Sequence, residues 1–278
     1  MCGIIAVLRR RSSRPTPQLA SVLARLDLGV ARLGDAVAGF DGSEGRSHEE
    51  LAAIAGLLEQ VDRELRGPPG LACLIGHRGD GPGFEEHGYD QVEVRGLVLA
   101  AMADHLEETL DTGKVLWSPE YLEAVNEVLV RLRDVIWAIG RDRPDTAREV
   151  LGLARLSLDG DGQLPAPARD ALWSVQVALS ALDRLEVRGR DSAGLHLLVT
   201  GHGIDLQRPE IQAMLGARAN DPLFTSMALR TPLGHLSLVY KAAAEIGELG
   251  DNTRALRAAI TSDPLLHLAL ADPDAEVT

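Results

Sequence analysis

Between Leu19 and Leu185 the apolar residues recur almost throughout at helical spacing, and no other feature constrains the fold as much. Leu19, Val22, Leu23, Leu26, Val30, Leu33 and Val37 predict one long amphipathic helix. Ser47, with Glu50 three positions on, reads as a capping box that opens a second helix through Leu51, Ile54, Leu57, Leu58, Val61 and Leu65. Gly67-Pro68-Pro69-Gly70 reads as its end. The stretch Leu71 to Tyr89 is rich in glycine and predicts an ordered loop, followed by a helix over Val94 to Leu110. Ser118 is a good N-cap, Pro119 suits a first helical position, and Gly140 reads as the stop of that helix. Two more helices fit Asp145 to Leu156 and Pro167 to Leu185, and no repeat period links them.

Two short apolar segments of strand length bracket this helical stretch, Ile4 to Leu8 before it and Leu195 to Thr200 after it. Beyond the second lies a Gly- and Pro-punctuated region to Gly234, then helices around Val239 to Leu249 and Asn252 to Ile260, and a turn or short helix from Asp263 to Leu270. The closing Asp272-Pro273-Asp274-Ala275-Glu276-Val277-Thr278 reads as polar and extended, without a closing strand or helix. The fold class expected is α+β.

A formal net charge of −13 argues against a phosphate-backbone footprint, which needs a clustered basic surface. The one dense basic run near the start, Arg9 to Arg14, reads as a solvated loop. Aromatic residues make up 3% of the chain, too few for a surface that stacks bases. No apolar run reaches the roughly 20 residues of a membrane-spanning helix. Ile4 to Leu8 is also too short, and wrongly placed before the basic residues, to be a signal peptide. The expectation is therefore a cytoplasmic protein whose two cysteines, Cys2 and Cys73, are free thiols.

Cys2 has a chemical reason to stand where it does. Removal of Met1 would put a thiol and an α-amino group on one residue, and an α-amine with an ordinary pKa of about 7.7 to 8.0 can act as general base near neutral pH. The thiol could then form a thioester with a carboxamide carbon and release ammonia. Alone, an early cysteine is weak evidence and equally fits a small core residue.

Met1-Cys2-Gly3-Ile4-Ile5-Ala6-Val7 resembles the start of class II glutamine amidotransferases, which are N-terminal-nucleophile hydrolases. Ala181 to Leu198, ALDRLEVRGRDSAGLHLL, resembles the Arg-Gly-Tyr-Asp-Ser-Ala-Gly segment that follows in the glutamine:fructose-6-phosphate aminotransferase branch. The Asp191-Ser192 pair is similar to that branch rather than to the amidophosphoribosyltransferases or asparagine synthetases. The resemblance implies Cys2 as nucleophile and a pocket shaped by Arg188, Gly189, Asp191, Ser192 and Gly194, with Arg188 and Asp191 organising the loop by hydrogen bonds. Gly189 and Gly194 would allow its backbone path. Arg190 stands where the family has tyrosine, which alters local packing but not the nucleophile.

The resemblance further implies an αββα domain, incomplete in this chain. It divides the sequence into a first strand at 1–10, a helical insertion at 11–178, and a continuation at 179–278. Such an insertion is tolerated because loop-closure entropy grows only logarithmically with length. The implied partners are glutamine and, through an isomerase region missing here, fructose 6-phosphate, giving glucosamine 6-phosphate without metal or organic cofactor. A homo-oligomer is compatible with a full-length form. The family's His-Thr-Arg-Trp and His-Asn-Gly-Ile motifs, which bind the glutamine carboxylate and form the oxyanion hole, do not occur. Because losing one oxyanion donor costs on the order of 3 kcal/mol, this chain by itself is expected to hydrolyse glutamine poorly.

The other reading is a noncatalytic helical interaction or regulatory module with vestigial amidotransferase ends. His77 to Gly81 with nearby Cys73 reads as a structural loop, and His196 as a satisfied or surface-facing histidine. His202, His235 and His267 lack the ligand spacing of a zinc site.

Overall fold

The computed structural model describes residues 4–9, 12–39, 46–76, 87–111, 117–155, 157, 164–186, 192–219, 228–243 and 248–278. It is a mostly helical α+β protein with a small antiparallel sheet. The chain divides into two compact units, one of Ser12–Arg148 and one of Met1–Arg11 with Glu149–Thr278.

The helical unit is built from α1 (Leu19–Ala38), α2 (Arg46–Leu65), α3 (Gly67–Ile75), α4 (Gly88–Asp111) and α5 (Pro119–Trp137). Contacts run α1 to α2, α2 to α5, α5 to α4 and α4 to α1, so four helices close a ring around a shared core. That core follows the spacing seen in the sequence: Val22, Leu26 and Leu33 meet Ile54, Leu58, Val61 and Leu65, with Val92, Leu99 and Leu106 from α4 and Val125 and Leu132 from α5. Ser118 does cap α5, its hydroxyl accepting the Tyr121 N–H, and Pro119 occupies the first turn.

Three expectations fail here. α2 begins at Arg46, which puts Ser47 inside the helix instead of at its cap. Gly67-Pro68-Pro69-Gly70 does end α2, at Leu65, but it opens α3 at once, so Leu71 to Ile75, expected as the start of a loop, are helical; prolines in a first turn forfeit only N–H groups that have no helical partner. Gly70 is needed where the new helix folds back on α2, since a Cβ there would lie 2.0 Å from the Leu65 carbonyl oxygen. Nor does Gly140 end a helix: the chain winds on through a π-helical turn at Ala138–Asp142 into α6 (Arg143–Leu153). Gly140 instead meets Gly96 of α4, where a Cβ on Gly96 would fall 2.2 Å from the Gly140 Cα. The two glycines let these helices touch backbone to backbone.

Polar contacts lock the bundle. Asp62, buried on α2, accepts from Arg66 Nε at 2.8 Å and from Arg143 Nη2 at 2.9 Å. Arg25 pairs with Glu64, whose carboxyl is held below its ordinary range chiefly by that hydrogen bond. Arg14, read as part of a solvated run, donates to the Arg63 and Arg66 carbonyls at the C-terminal end of α2.

The sheet unit adds α7 (Ala166–Glu186), β1 (Ala193–Thr200), α8 (Pro209–Ala219), β2 (Leu229–Arg230), β3 (Leu236–Ala242), α9 (Asp251–Thr261), α10 (Pro264–Leu270) and β4 (Glu276–Val277). Strand order is β2-β3-β1-β4, all antiparallel, with Leu195 opposite Tyr240 and Leu197 opposite Leu238. Alternation sends Leu197, Val199, Leu236, Leu238 and Tyr240 to one buried face, on which α7 and α9 pack. The opposite face carries exposed Gly194, His196 and Lys241.

The expected helix over Val239 to Leu249 begins as the strand β3, in which Leu236, Leu238, Tyr240 and Ala242 are buried at every second position. The C-terminal residues also form a strand, Val277 pairing with Val199. The unit boundary falls at Arg148–Glu149 rather than at residue 178, because α7 packs on β1, β4 and α9.

Candidate functional site

The segment of residues 4–9, expected as a first strand, pairs with no strand of the sheet; it lines a groove of about 480 Å3 together with α7 and β1. Ile4 to Leu8 contribute one wall; Val175, Ala178 and Leu182 of α7 and Gly194 to Leu198 of β1 contribute the others. Two short segments that stand at opposite ends of the helical stretch in sequence are thus neighbours in space. Sequence alternation explains how the wall is divided: Ile5 and Val7 are half-buried, while Ile4 and Leu8 are exposed.

Arg9 anchors this segment. Its Nη1 lies 3.0 Å from Asp170 Oδ2 on α7, and the Arg9 side chain is 10% exposed. Arg169 approaches the other Asp170 oxygen at 3.4 Å, so one carboxylate serves two guanidiniums. β4 closes the far end of the groove, with Leu198 and Thr278 exchanging both backbone hydrogen bonds at 2.7 and 3.0 Å.

Of the residues singled out in the sequence, Ser192 is exposed and immediately precedes β1, and Gly194 lies within β1 on the groove. A Cβ on Gly194 would meet nothing closer than the Tyr240 carbonyl oxygen at 3.5 Å, so the strand backbone itself does not demand glycine there. Cys2, Arg188, Gly189, Arg190 and Asp191 lie outside the described residues, as do His77 to Gly81.

Three histidines of the sheet unit, His196, His202 and His267, have ordinary partners. His196 Nε2 lies 2.8 Å from Ser237 Oγ on the exposed sheet face. His202 Nδ1 accepts the Ile204 N–H while Nε2 donates to the Gly234 carbonyl at 2.8 Å. His267 Nε2 faces the Ile260 carbonyl and Nδ1 the Ser157 hydroxyl, and burial pushes its pKa below the usual histidine value. Burial likewise pushes the Cys73 thiol up to about 11, so this cysteine is no nucleophile at neutral pH. Among the described residues no cluster of His, Cys, Asp and Glu could hold a metal ion.

No family model, curated protein or solved structure matches the chain.

One feature of the unit has no counterpart among the sequence expectations. Asp263 accepts from Tyr240 Oη at 2.8 Å and from Arg218 Nε at 3.1 Å, while its other oxygen caps α10 through the Leu265 and Leu266 N–H groups. Asp263-Pro264 ahead of an apolar run carried that capping signal. Among the described residues no helix is long and apolar enough to cross a membrane.

Proposed function

We propose that the sheet unit is the glutamine-handling part of a class II amidotransferase, an incomplete N-terminal-nucleophile hydrolase domain into which the helical unit is inserted. The observation that supports this reading is the groove shared by Ile4–Leu8 and Gly194–Leu198, since these are the described parts of the two segments whose sequences carry the family resemblance. An antiparallel sheet with helices on one face is also compatible with half of an αββα sandwich.

In this reading Met1 is removed and the α-amine of Cys2 takes the thiol proton. The thiolate attacks the carboxamide carbon of glutamine, the C–N bond breaks, and ammonia leaves with the proton returned by the α-ammonium group. Water then cleaves the thioester to glutamate and regenerates the thiol. Arg188 and Asp191 organise the neighbouring loop, with Gly189, Ser192 and Gly194 shaping the pocket. The acceptor of the ammonia is fructose 6-phosphate, bound by an isomerase region outside this chain, and the product is glucosamine 6-phosphate in the cytoplasm. No cofactor enters the chemistry.

A second reading, a noncatalytic interaction module, is favoured by the exposed apolar face that α4 and α5 present on the helical unit, with Leu97 and Trp137 well exposed. The intact mass of the chain and its reaction with a glutamine-shaped diazoketone separate the two. The amidotransferase reading predicts loss of Met1 and one adduct on Cys2 that glutamine suppresses. Retained Met1, or labelling that glutamine leaves unchanged, contradicts it and favours the module.

A further inference from the structure

We propose that Arg9 and Arg169 hold a phosphate-class oxyanion at the start of α7. The cluster around them is short of negative charge and of hydrogen-bond acceptors at once. Arg9 Nη1 and Arg169 Nη2 both approach Asp170, at 3.0 and 3.4 Å, and among the described residues neither guanidinium pairs with another carboxylate. Two cations thus share one anion. The Arg9 side chain is only 10% exposed, and those of Arg169 and Asp170 are 20% exposed, so the excess charge is largely withdrawn from water, which is costly without a counter-charge.

The Nε atoms of both arginines are shut off from solvent and have no acceptor. Buried polar atoms are nearly always bonded, and an orphan is a sign of an ion or water that belongs there. Here two orphans of one kind flank a single carboxylate. A water would satisfy donors without correcting the charge, whereas an oxyanion does both. Phosphate suits the site better than a carboxylate because the positive charge exceeds that of one guanidinium: α7 is a 21-residue helix, and its N-terminal end adds about half a unit charge. Guanidinium forks and helix N-termini are both established binders of phosphate oxygens. The site adjoins the groove of Ile4 to Leu8, since Arg9 follows Leu8 and the groove residue Ser174 donates to the Asp170 carbonyl at 3.3 Å. It does not depend on the amidotransferase reading.

Thermal unfolding of the full chain in inorganic phosphate, with ionic strength held constant by chloride, tests it. Phosphate is expected to raise the midpoint saturably, by about 5 °C at a hundredfold excess over Kd. Arg9→Gln and Arg169→Gln each weaken binding by about tenfold or more. Arg131→Gln, which removes an arginine paired with Glu59 on the helical unit, leaves it unchanged. Circular dichroism confirms that each variant keeps its helices, and Arg169→Gln serves where Arg9→Gln does not fold. Equilibrium dialysis of phosphate against the wild-type chain is expected to give one site per chain. Glycerol 3-phosphate forms a second arm: tighter binding than inorganic phosphate assigns the site to a phosphate monoester and weaker binding to the free ion, and either supports the proposal. No shift, a shift that chloride matches, or a shift that both arginine variants retain means an adventitious ion only and overturns it, as does acetate that binds as tightly as phosphate.

Discussion

Tyr240 and Asp263 meet in the interior of the sheet unit, the phenolic hydroxyl donating to Oδ2 across 2.8 Å. Arg218 reaches the same oxygen and lies over the Tyr240 ring, 4.7 Å from its centroid, so α8, β3 and α10 are fastened at one point. Tyr240→Phe removes one hydrogen bond and is expected to cost about 1 kcal/mol in urea unfolding. Asp263→Ala strips partners from Tyr240, Arg218 and two N–H groups of α10, and is expected to cost about 3 kcal/mol or more. Equal losses in the two variants would contradict the shared role of this carboxylate.

His267 provides a pH dependence with a definite sign. Burial lowers its pKa in the folded chain below the unfolded value of about 6.5. The folded state therefore favours neutral imidazole, and its contribution is complete above about 6.5 and lost as pH falls from there through the folded pKa. Thermal midpoints measured downward from pH 7.5 should decline through this window. His267→Gln should flatten that decline, and a slope identical to wild type would contradict the assignment.

At Gly96 any side chain must push the Gly140 backbone away, whereas a Cβ added to Gly56 of α2 would meet nothing within 4 Å. Gly96→Ala is expected to destabilise the helical unit by about 1–3 kcal/mol. Gly56→Ala should stabilise it by about 0.5–1 kcal/mol through helix propensity. Urea midpoints moving in the same direction for both would refute the close crossing.

Cys73 is buried and its thiol is pushed up to about 11. In the folded chain it should resist alkylation at pH 8 and react fully once the chain is unfolded in urea, as read by mass spectrometry of the alkylated peptides. Alkylation of native Cys73 as fast as a free thiol would show that the helical unit opens locally on the same timescale.

Helices carried by a strong apolar stripe are legible in the sequence: α1, α7 and α9 lie close to their expected bounds, and α5 starts at its Ser118 cap. β1 is legible from its strand-length apolar run. The differences elsewhere have local causes. β3 reads as the start of a helix because Leu236 to Ala242 is short and runs toward the alanines that follow it, where strand and helix periods overlap. Gly140 reads as a stop because glycine so often ends a helix, yet here its missing Cβ serves a helix crossing. α7 belongs with the sheet because of the contacts it makes over long sequence separations, which no local pattern records. Of the candidate site, Ser192 and Gly194 fall among the described residues, and the groove is visible only once Ile4–Leu8 and β1 stand together.

The claim that these two segments build one site is tested most directly by trapping Cys2 against the loop before β1. In a Cys73→Ser background, Ser192→Cys should form a disulfide with Cys2 in high yield under mild oxidation, seen as a linked peptide by mass spectrometry, while Thr231→Cys, just past the edge strand β2, should not. Absence of the Cys2–Ser192→Cys link in a chain that keeps its native circular dichroism would contradict a nucleophile seated beside that loop.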